Sequence, residues 1–147
     1  MSTFDPDRGF DLTRTFDAPR AKVWRAISEP DLFARWFGAE ADVAVTSWDL
    51  RTGGNFTAVM TYEGTEIAWA GQFVEVEAPT KLAIRITDEG TVKDTDDVLT
   101  MVLVESGDQT VLQYRQAGGG LTDEQYEQSR EGTESFLDAM AKVVATL

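Results

Sequence analysis

The chain has 147 residues, with 26 acidic and 13 basic side chains, and contains neither histidine nor cysteine. A chain of this length is predicted to form one domain with its own hydrophobic core. The missing residue types exclude a Ser-His-Asp triad, a cysteine nucleophile, a disulfide framework and a thiolate or imidazole zinc site. The formal net charge of -13 argues against nucleic acid and anionic membranes as partners, because lysine and arginine supply most of the affinity for phosphates.

We expect neither a membrane-spanning segment nor a leader segment from the sequence. No apolar run approaches the roughly 20 residues needed to cross a bilayer. The first ten residues include Asp5 and Asp7 and lack an apolar stretch, which is not typical of a signal peptide. We therefore expect a soluble, cytoplasmic protein.

The first part of the chain is predicted to contain one strand and two short helices. Apolar and polar residues alternate over 11–17, as in a half-buried strand. Pro19 begins the next segment, 19–28, in which apolar residues recur at helical spacing, so a short helix is predicted there. A second short helix is expected from about 31–37. Residues 1–9 are predicted to be a flexible N-terminus, so the domain would span 10–147.

The middle of the chain is predicted to be an antiparallel meander, because short turns separate its apolar runs. Apolar residues recur at every second position within these runs, and we assign them to one concave face of the sheet. The predicted strands are 42–50, 54–62, 66–77, 81–87, 97–105 and 109–116.

The longest helix is predicted over 122–147. Thr122 and Gln125 have the spacing of a capping box, and the apolar stripe that follows must lie on the sheet. Gly132 costs about 1 kcal/mol in mid-helix relative to alanine, so we expect close backbone approach or room for a cavity there. The element order predicts an α+β fold, with a curved seven-stranded antiparallel sheet around the C-terminal helix.

Four short motifs follow one another along the chain: Phe16-Asp17-Ala18-Pro19 with Val23-Trp24-Arg25-Ala26 and Trp36-Phe37; Asp49-Leu50-Arg51-Thr52-Gly53-Gly54; Gly71-Gln72-Phe73-Val74-Glu75-Val76 with Pro79-Thr80-Lys81-Leu82; and Glu131-Gly132-Thr133 with Phe136-Leu137. In this order they resemble the motifs of the START-like (SRPBCC) helix-grip superfamily, and more closely those of the family of activators of the heat-shock protein 90 ATPase. The resemblance implies a deep apolar cavity, which holds hydrophobic molecules in parts of the superfamily, and a co-chaperone role in eukaryotic members. The family commonly has tryptophan where this chain has Thr133, so one cavity wall should differ here.

The candidate ligand-binding residues are large apolar side chains on the concave face and the facing side of the last helix. Each alone could be ordinary core, whereas the set is typical of a cavity lining. Trp36 and Phe37 could form a lid or a plug under the sheet edge. The full set is Trp36, Phe37, Phe56, Met60, Trp69, Phe73, Ile84, Met101, Leu103, Tyr114, Thr133, Phe136, Leu137 and Met140.

Polar candidates are fewer and depend on strand register. Tyr62 and Tyr114 are the first choices for a hydrogen bond to a ligand. Glu75, in an otherwise apolar strand, needs a partner, which we expect to be an arginine. The second-choice glutamines are Gln72, Gln113 and Gln116, and the candidate arginines are Arg51, Arg85 and Arg115.

The densest acidic run comprises Asp88, Glu89, Asp94, Asp96 and Asp97. Such a run is usually a solvated surface, although a docking patch for a basic partner or a hard-cation site stays open. Asp94, Asp96 and Asp97 lack the glycine and the distal glutamate of an EF-hand.

The expected function is binding of an apolar or amphipathic small molecule between the sheet and the C-terminal helix, without a metal or cofactor, and binding is favoured over catalysis. Two alternatives stay open: a co-chaperone-like module that contacts a chaperone, and a polyketide cyclase-like or dehydratase-like enzyme that uses Tyr114 or Glu75. An exposed edge strand could also pair two copies into a homodimer.

Overall fold

The computed structural model describes residues 4–38, 41–88 and 90–147. Its elements follow the predicted order, with one strand, two short helices, six strands and one long helix. No helix in the described residues is long and apolar enough to cross a membrane. The elements are β1 (Asp5–Phe16), α1 (Arg20–Ser28), α2 (Pro30–Trp36), β2 (Asp42–Trp48), β3 (Asn55–Tyr62), β4 (Thr65–Glu77), β5 (Lys81–Thr87), β6 (Val98–Ser106), β7 (Gln109–Gly118) and α3 (Asp123–Ala145).

The seven strands form one antiparallel sheet in the order β1-β7-β6-β5-β4-β3-β2. Strands β2 to β7 are a meander in which each strand pairs with the next, and β1 closes the far side by pairing with β7. The helices α1 and α2, which connect β1 to β2, therefore bridge the two edges of the sheet. This arrangement confirms the predicted helix-grip fold.

Strand β1 begins earlier than predicted. Asp5 pairs with Gly118, and the register then shifts before Gly9 pairs with Ala117. Residues 5–9 therefore belong to the sheet, although they were expected to be part of a flexible N-terminus. Their sequence lacks apolar alternation, so a search for strand periodicity could not detect them.

An aromatic cluster joins α2 to the concave face of the sheet. Phe33 is 2% exposed, and its ring centroid lies 4.9 Å from those of Trp36 and Phe37, 5.1 Å from that of Trp48 and 5.6 Å from that of Phe56. Aromatic pairs at such separations contribute beyond the area they bury. The cluster fixes α2, and with it Phe37, against the sheet.

Helix α3 begins with the predicted capping box. The Thr122 side chain accepts a hydrogen bond from the Gln125 backbone N–H at 3.2 Å, and the Gln125 side chain accepts one from the Thr122 backbone N–H at 2.9 Å. Buried residues recur along one side of the helix, from Tyr126 to Val144. This side lies over the sheet, and the space between them contains the candidate site.

Candidate functional site

A cavity of about 640 Å3 lies between α3 and the sheet; we call it the first cavity. Aromatic and aliphatic side chains form part of its wall, and acidic and amide side chains surround its polar side. Among the residues that line it are Phe37, Trp69, Ile86, Leu99, Tyr114 and Phe136 on the apolar side, and Thr87, Asp88, Asp96, Asp97, Gln116 and Ser129 on the polar side.

Asp97 organises the polar side of the first cavity. Its carboxylate accepts hydrogen bonds from the Gln116 side-chain N–H at 3.0 Å, the Gly120 backbone N–H at 3.2 Å and the Tyr126 hydroxyl at 3.2 Å. Ser129 in turn donates to the Gln116 side-chain oxygen at 2.9 Å. These bonds connect the start of β6, the end of β7 and the first turns of α3 around one carboxylate.

Tyr114 and Thr133 form a second group of polar atoms, which is buried in the wall of the first cavity. Thr133 Oγ1 donates to the Ser129 carbonyl oxygen at 2.8 Å, one helical turn earlier. Burial raises the pKa of Tyr114 well above its ordinary value, and the hydrogen bond with Thr133 offsets only part of that rise. Tyr114 therefore stays protonated at neutral pH, where it can donate a hydrogen bond but cannot serve as a base.

We expect Tyr114→Phe to be less sensitive to alkaline pH than the original chain. Above the ordinary tyrosine pKa of 10.0, the unfolded chain loses the Tyr114 proton while the folded chain keeps it. The free energy of unfolding should therefore fall with pH, by up to about 1.4 kcal/mol per pH unit from this group. Urea unfolding at neutral pH and at about pH 11 measures the fall.

Tyr62→Phe is the matched control, because the Tyr62 side chain is 51% exposed. Its alkaline loss of stability should match that of the original chain. An equal loss in Tyr114→Phe would contradict the assignment of the buried phenol.

A family model with the description Activator of Hsp90 ATPase homolog 1-like protein matches residues 17–145. The chain belongs to this family. No curated protein is significantly similar in sequence.

Solved structures support the fold of this AHSA1-like chain. A protein from Chromobacterium violaceum is 23% identical, with a TM-score of 0.80 over 92% of this chain and 95% of its own. The AHSA1-like protein from Aeromonas hydrophila is 24% identical, with a TM-score of 0.74 over 93% of each chain. CalU16 from Micromonospora echinospora is 28% identical, with a TM-score of 0.67 over 91% of this chain and 74% of its own.

Five of the predicted ligand-binding residues come together in the wall of the first cavity. They are distributed over the end of α2, strands β4 and β7, and α3. Phe37 contacts two of the others, with ring centroids 5.7 Å from Trp69 and 5.8 Å from Phe136. The five are Phe37, Trp69, Tyr114, Thr133 and Phe136.

The other predicted ligand-binding residues lie elsewhere. Met60 lines a second cavity. The remainder are buried in the hydrophobic core and line neither of these two cavities. These core residues are Trp36, Phe56, Phe73, Ile84, Met101, Leu103, Leu137 and Met140.

Trp36 does not form a lid. It is 4% exposed, and its indole N–H donates to the Ala26 carbonyl oxygen at 2.8 Å. This bond joins α2 to α1. Of the two residues considered for a lid or plug, Phe37 alone reaches the first cavity, where it is part of the wall.

Gly132 lies at the exposed rim of the first cavity. It lines the cavity, and a Cβ atom built on it would have no heavy atom within 4 Å beyond its immediate surroundings in the helix. Of the two reasons considered for a mid-helix glycine, room for a cavity is the one that fits.

The prediction that an arginine pairs with Glu75 is wrong. Lys81 Nζ lies 3.0 Å from Glu75 Oε2, and the Glu75 side chain is 38% exposed. Arg51 and Arg115 pair instead with Asp49 and Asp11, and the Arg85 side chain donates to a backbone carbonyl. The irregularity in the β4–β5 pairing between Phe73 and Glu75 changes which side chains meet, and strand periodicity cannot predict it.

The register of the strands determines which of the polar candidates line the first cavity. Gln116 shares the concave face with Tyr114 and lines the first cavity, whereas Gln113 is exposed and Gln72 alternates with the buried Gly71 and Phe73. Tyr62 lines the second cavity. Of the two tyrosines and three glutamines, Tyr114 and Gln116 therefore belong to the first cavity.

Part of the acidic run lies at the first cavity. Asp88, Asp96 and Asp97 line it together with Lys93, while Glu89 lies outside the described residues. Within the described ranges, no group of three or more acidic side chains is placed to hold a metal ion. From the sequence, this run was expected to be a solvated surface, with a docking patch or a cation site as alternatives, and its position at the cavity was not predicted.

Proposed function

We propose that this AHSA1-like chain is a binding protein for an apolar or amphipathic small molecule in the first cavity. The observation that carries the proposal is the cavity of about 640 Å3 between α3 and the sheet. Sites for small molecules typically have about 300–1,000 Å3, largely apolar walls and a few polar groups that set orientation. The first cavity has a volume in this range, an apolar wall and a distinct polar side.

The apolar wall would supply most of the affinity. Phe37, Trp69 and Phe136 present large aromatic surfaces, and Ile86 and Leu99 add aliphatic surface. Apolar area removed from water contributes about 25 cal/mol per Å2. Neither the wall nor the ligand would have to provide a covalent or metal bond.

The polar side would determine the orientation of the ligand. Asp88, Asp96 and Asp97 give this side an excess of negative charge over the single lysine, Lys93. Carboxylates only accept hydrogen bonds when ionised, so the polar end of the ligand should donate hydrogen bonds or carry a positive charge. The Trp69 indole N–H is buried without a partner among the described residues. A ligand with a hydrogen-bond acceptor near the aromatic wall would therefore be favoured.

We expect Gly132→Leu to weaken binding of the uncharged fluorescent probe N-phenylnaphthylamine by roughly tenfold or more, which corresponds to about 1.4 kcal/mol. Gly132 lies at the exposed rim of the first cavity, so a leucine side chain should occupy part of the space open to the probe. A fluorescence titration of the purified chain with this probe measures the affinity.

Gly132→Ala is the matched control. Its single methyl group enters open space and should leave the probe affinity within about twofold, while the better helix propensity adds up to about 1 kcal/mol to the free energy of unfolding. If Gly132→Leu unfolds normally in urea yet binds the probe like the control, the first cavity is not the binding site. If the original chain binds no hydrophobic probe, the proposal fails.

The family match favours one other function, a co-chaperone-like interaction module. It is supported by the family description and by the acidic character of the chain, which would suit a basic surface on a partner. Calorimetric titration with the Hsp90 chaperone tests it. Absence of binding at low salt, where charge attraction is strongest, would exclude it.

A further inference from the structure

A second cavity, of about 920 Å3, lies on the other side of Phe136. It is bordered by the end of α2, by β3 and β4, and by the last turns of α3. Its apolar surface comes from Met60, Ile67, Phe136, Ala139 and Val143.

An aromatic partition separates the two cavities. Phe136 lines both of them, and its ring centroid lies 5.8 Å from that of Phe37. Phe37 is itself held by stacking on Phe33, with ring centroids 4.9 Å apart. The two cavities are therefore distinct sites with different linings.

The second cavity has the opposite charge character to the first. Arg35 and Lys142, which are both exposed, lie at its rim, and neither forms an ion pair within the described parts of the chain. The acidic side chain on its border, Asp138, accepts a hydrogen bond from Arg14 at 2.8 Å. In a chain with a net charge of -13, the described residues that line this cavity include two cations and one carboxylate, which leaves a local excess of positive charge beside an apolar surface.

We propose that the second cavity binds an anionic amphiphile, such as the carboxylate form of a medium-chain fatty acid. Arg35 and Lys142 would attract the carboxylate, because charge-assisted hydrogen bonds to carboxylates are strong and both side chains carry several donors. Met60, Ile67 and Phe136 would cover the hydrocarbon chain. This site goes beyond the function proposed for the first cavity and does not depend on it.

Isothermal titration with decanoate tests the site. The double variant Arg35→Gln/Lys142→Gln should bind decanoate roughly tenfold more weakly than the original chain. Arg130→Gln is the matched control, because Arg130 lies on the same helix, outside the lining of both cavities, and pairs with Glu127. It should leave the affinity within about twofold.

A steric variant locates the hydrocarbon chain. Ala139→Leu, which keeps a good helix former, should weaken decanoate binding while leaving N-phenylnaphthylamine binding unchanged. The inference is overturned if the double variant binds decanoate like Arg130→Gln, if the original chain does not bind decanoate, or if Gly132→Leu rather than Ala139→Leu removes decanoate binding. The last result would assign the fatty acid to the first cavity.

Discussion

Phe33→Ala is expected to lower the free energy of unfolding by about 3–5 kcal/mol, the usual loss for truncating a buried phenylalanine. Phe33 is 2% exposed and, from its position on α2, contacts Trp48 and Phe56 of the sheet. Its ring packs on those of Trp36, Phe37, Trp48 and Phe56. Alanine would leave a cavity among side chains that are too large and too well packed to fill it.

Urea unfolding followed by tryptophan fluorescence measures this loss, because Trp36 and Trp48 lie beside the truncated ring. Phe4→Ala is the matched control, since Phe4 is 37% exposed and packs on the Arg85 guanidinium at the surface. It should change stability by no more than about 0.5–1 kcal/mol. Equal losses in the two variants would mean that the cluster does not attach α2 to the sheet.

The elements that could be predicted from the sequence are those encoded by local chemistry. The capping box of Thr122 and Gln125 requires only a hydroxyl and an amide three residues apart, and it is present. The alternation of Leu99, Met101 and Leu103 needs only the period of a strand. Local rules therefore predicted the element order, the antiparallel meander and the long helix.

The distinction between core and cavity could not be predicted in this way. Phe73 and Trp69 occupy the same face of β4, yet Phe73 is fully buried in the core and Trp69 lines the first cavity. Met101 and Tyr114 are directly paired across β6 and β7, and only Tyr114 lines the first cavity. The difference depends on how α3 lies over the sheet, which no pattern along a single strand contains.

Gln116 was the one residue of the hydrogen-bonded group around Asp97 that the sequence predicted as a polar candidate, and the others were missed for a related reason. Asp97 lies directly before β6, Gln116 on β7 and Ser129 on α3, and they meet only when the sheet and α3 are in place. In the sequence, Asp97 is one member of an acidic run, and Ser129 is an ordinary helix residue. Their common role depends on long-range pairing, such as that of Gln116 with Leu99 between β7 and β6.

Gly71→Ala is expected to destabilise the fold by about 1–3 kcal/mol, the usual cost of overpacking a core. Gly71 pairs directly with Phe56 across β3 and β4. A Cβ atom built on Gly71 would overlap the Phe56 ring, with Cζ 2.5 Å away. Alanine normally gains about 0.5–1 kcal/mol over glycine inside a strand, which is too little to offset this overlap.

The Phe56 ring is too closely surrounded to move away from a side chain at position 71. It is 0% exposed, and the rings of Phe33, Trp48 and Phe73 surround it at centroid distances of 5.6, 5.3 and 5.4 Å. Gly71 therefore lets a large ring lie flat against the sheet, where a side chain at that position would push the ring into the cluster.

A double-mutant cycle with Phe56→Leu tests this explanation of the Gly71→Ala loss. Phe56→Leu alone should destabilise the fold, but Gly71→Ala should cost at least about 1 kcal/mol less in its presence, because residues in contact are not additive. Gly132→Ala is the matched control and should raise the free energy of unfolding, because its methyl group enters open space. Additive losses from Gly71→Ala and Phe56→Leu would show that the ring is not what excludes a side chain at Gly71, and would locate the strain in the strand itself.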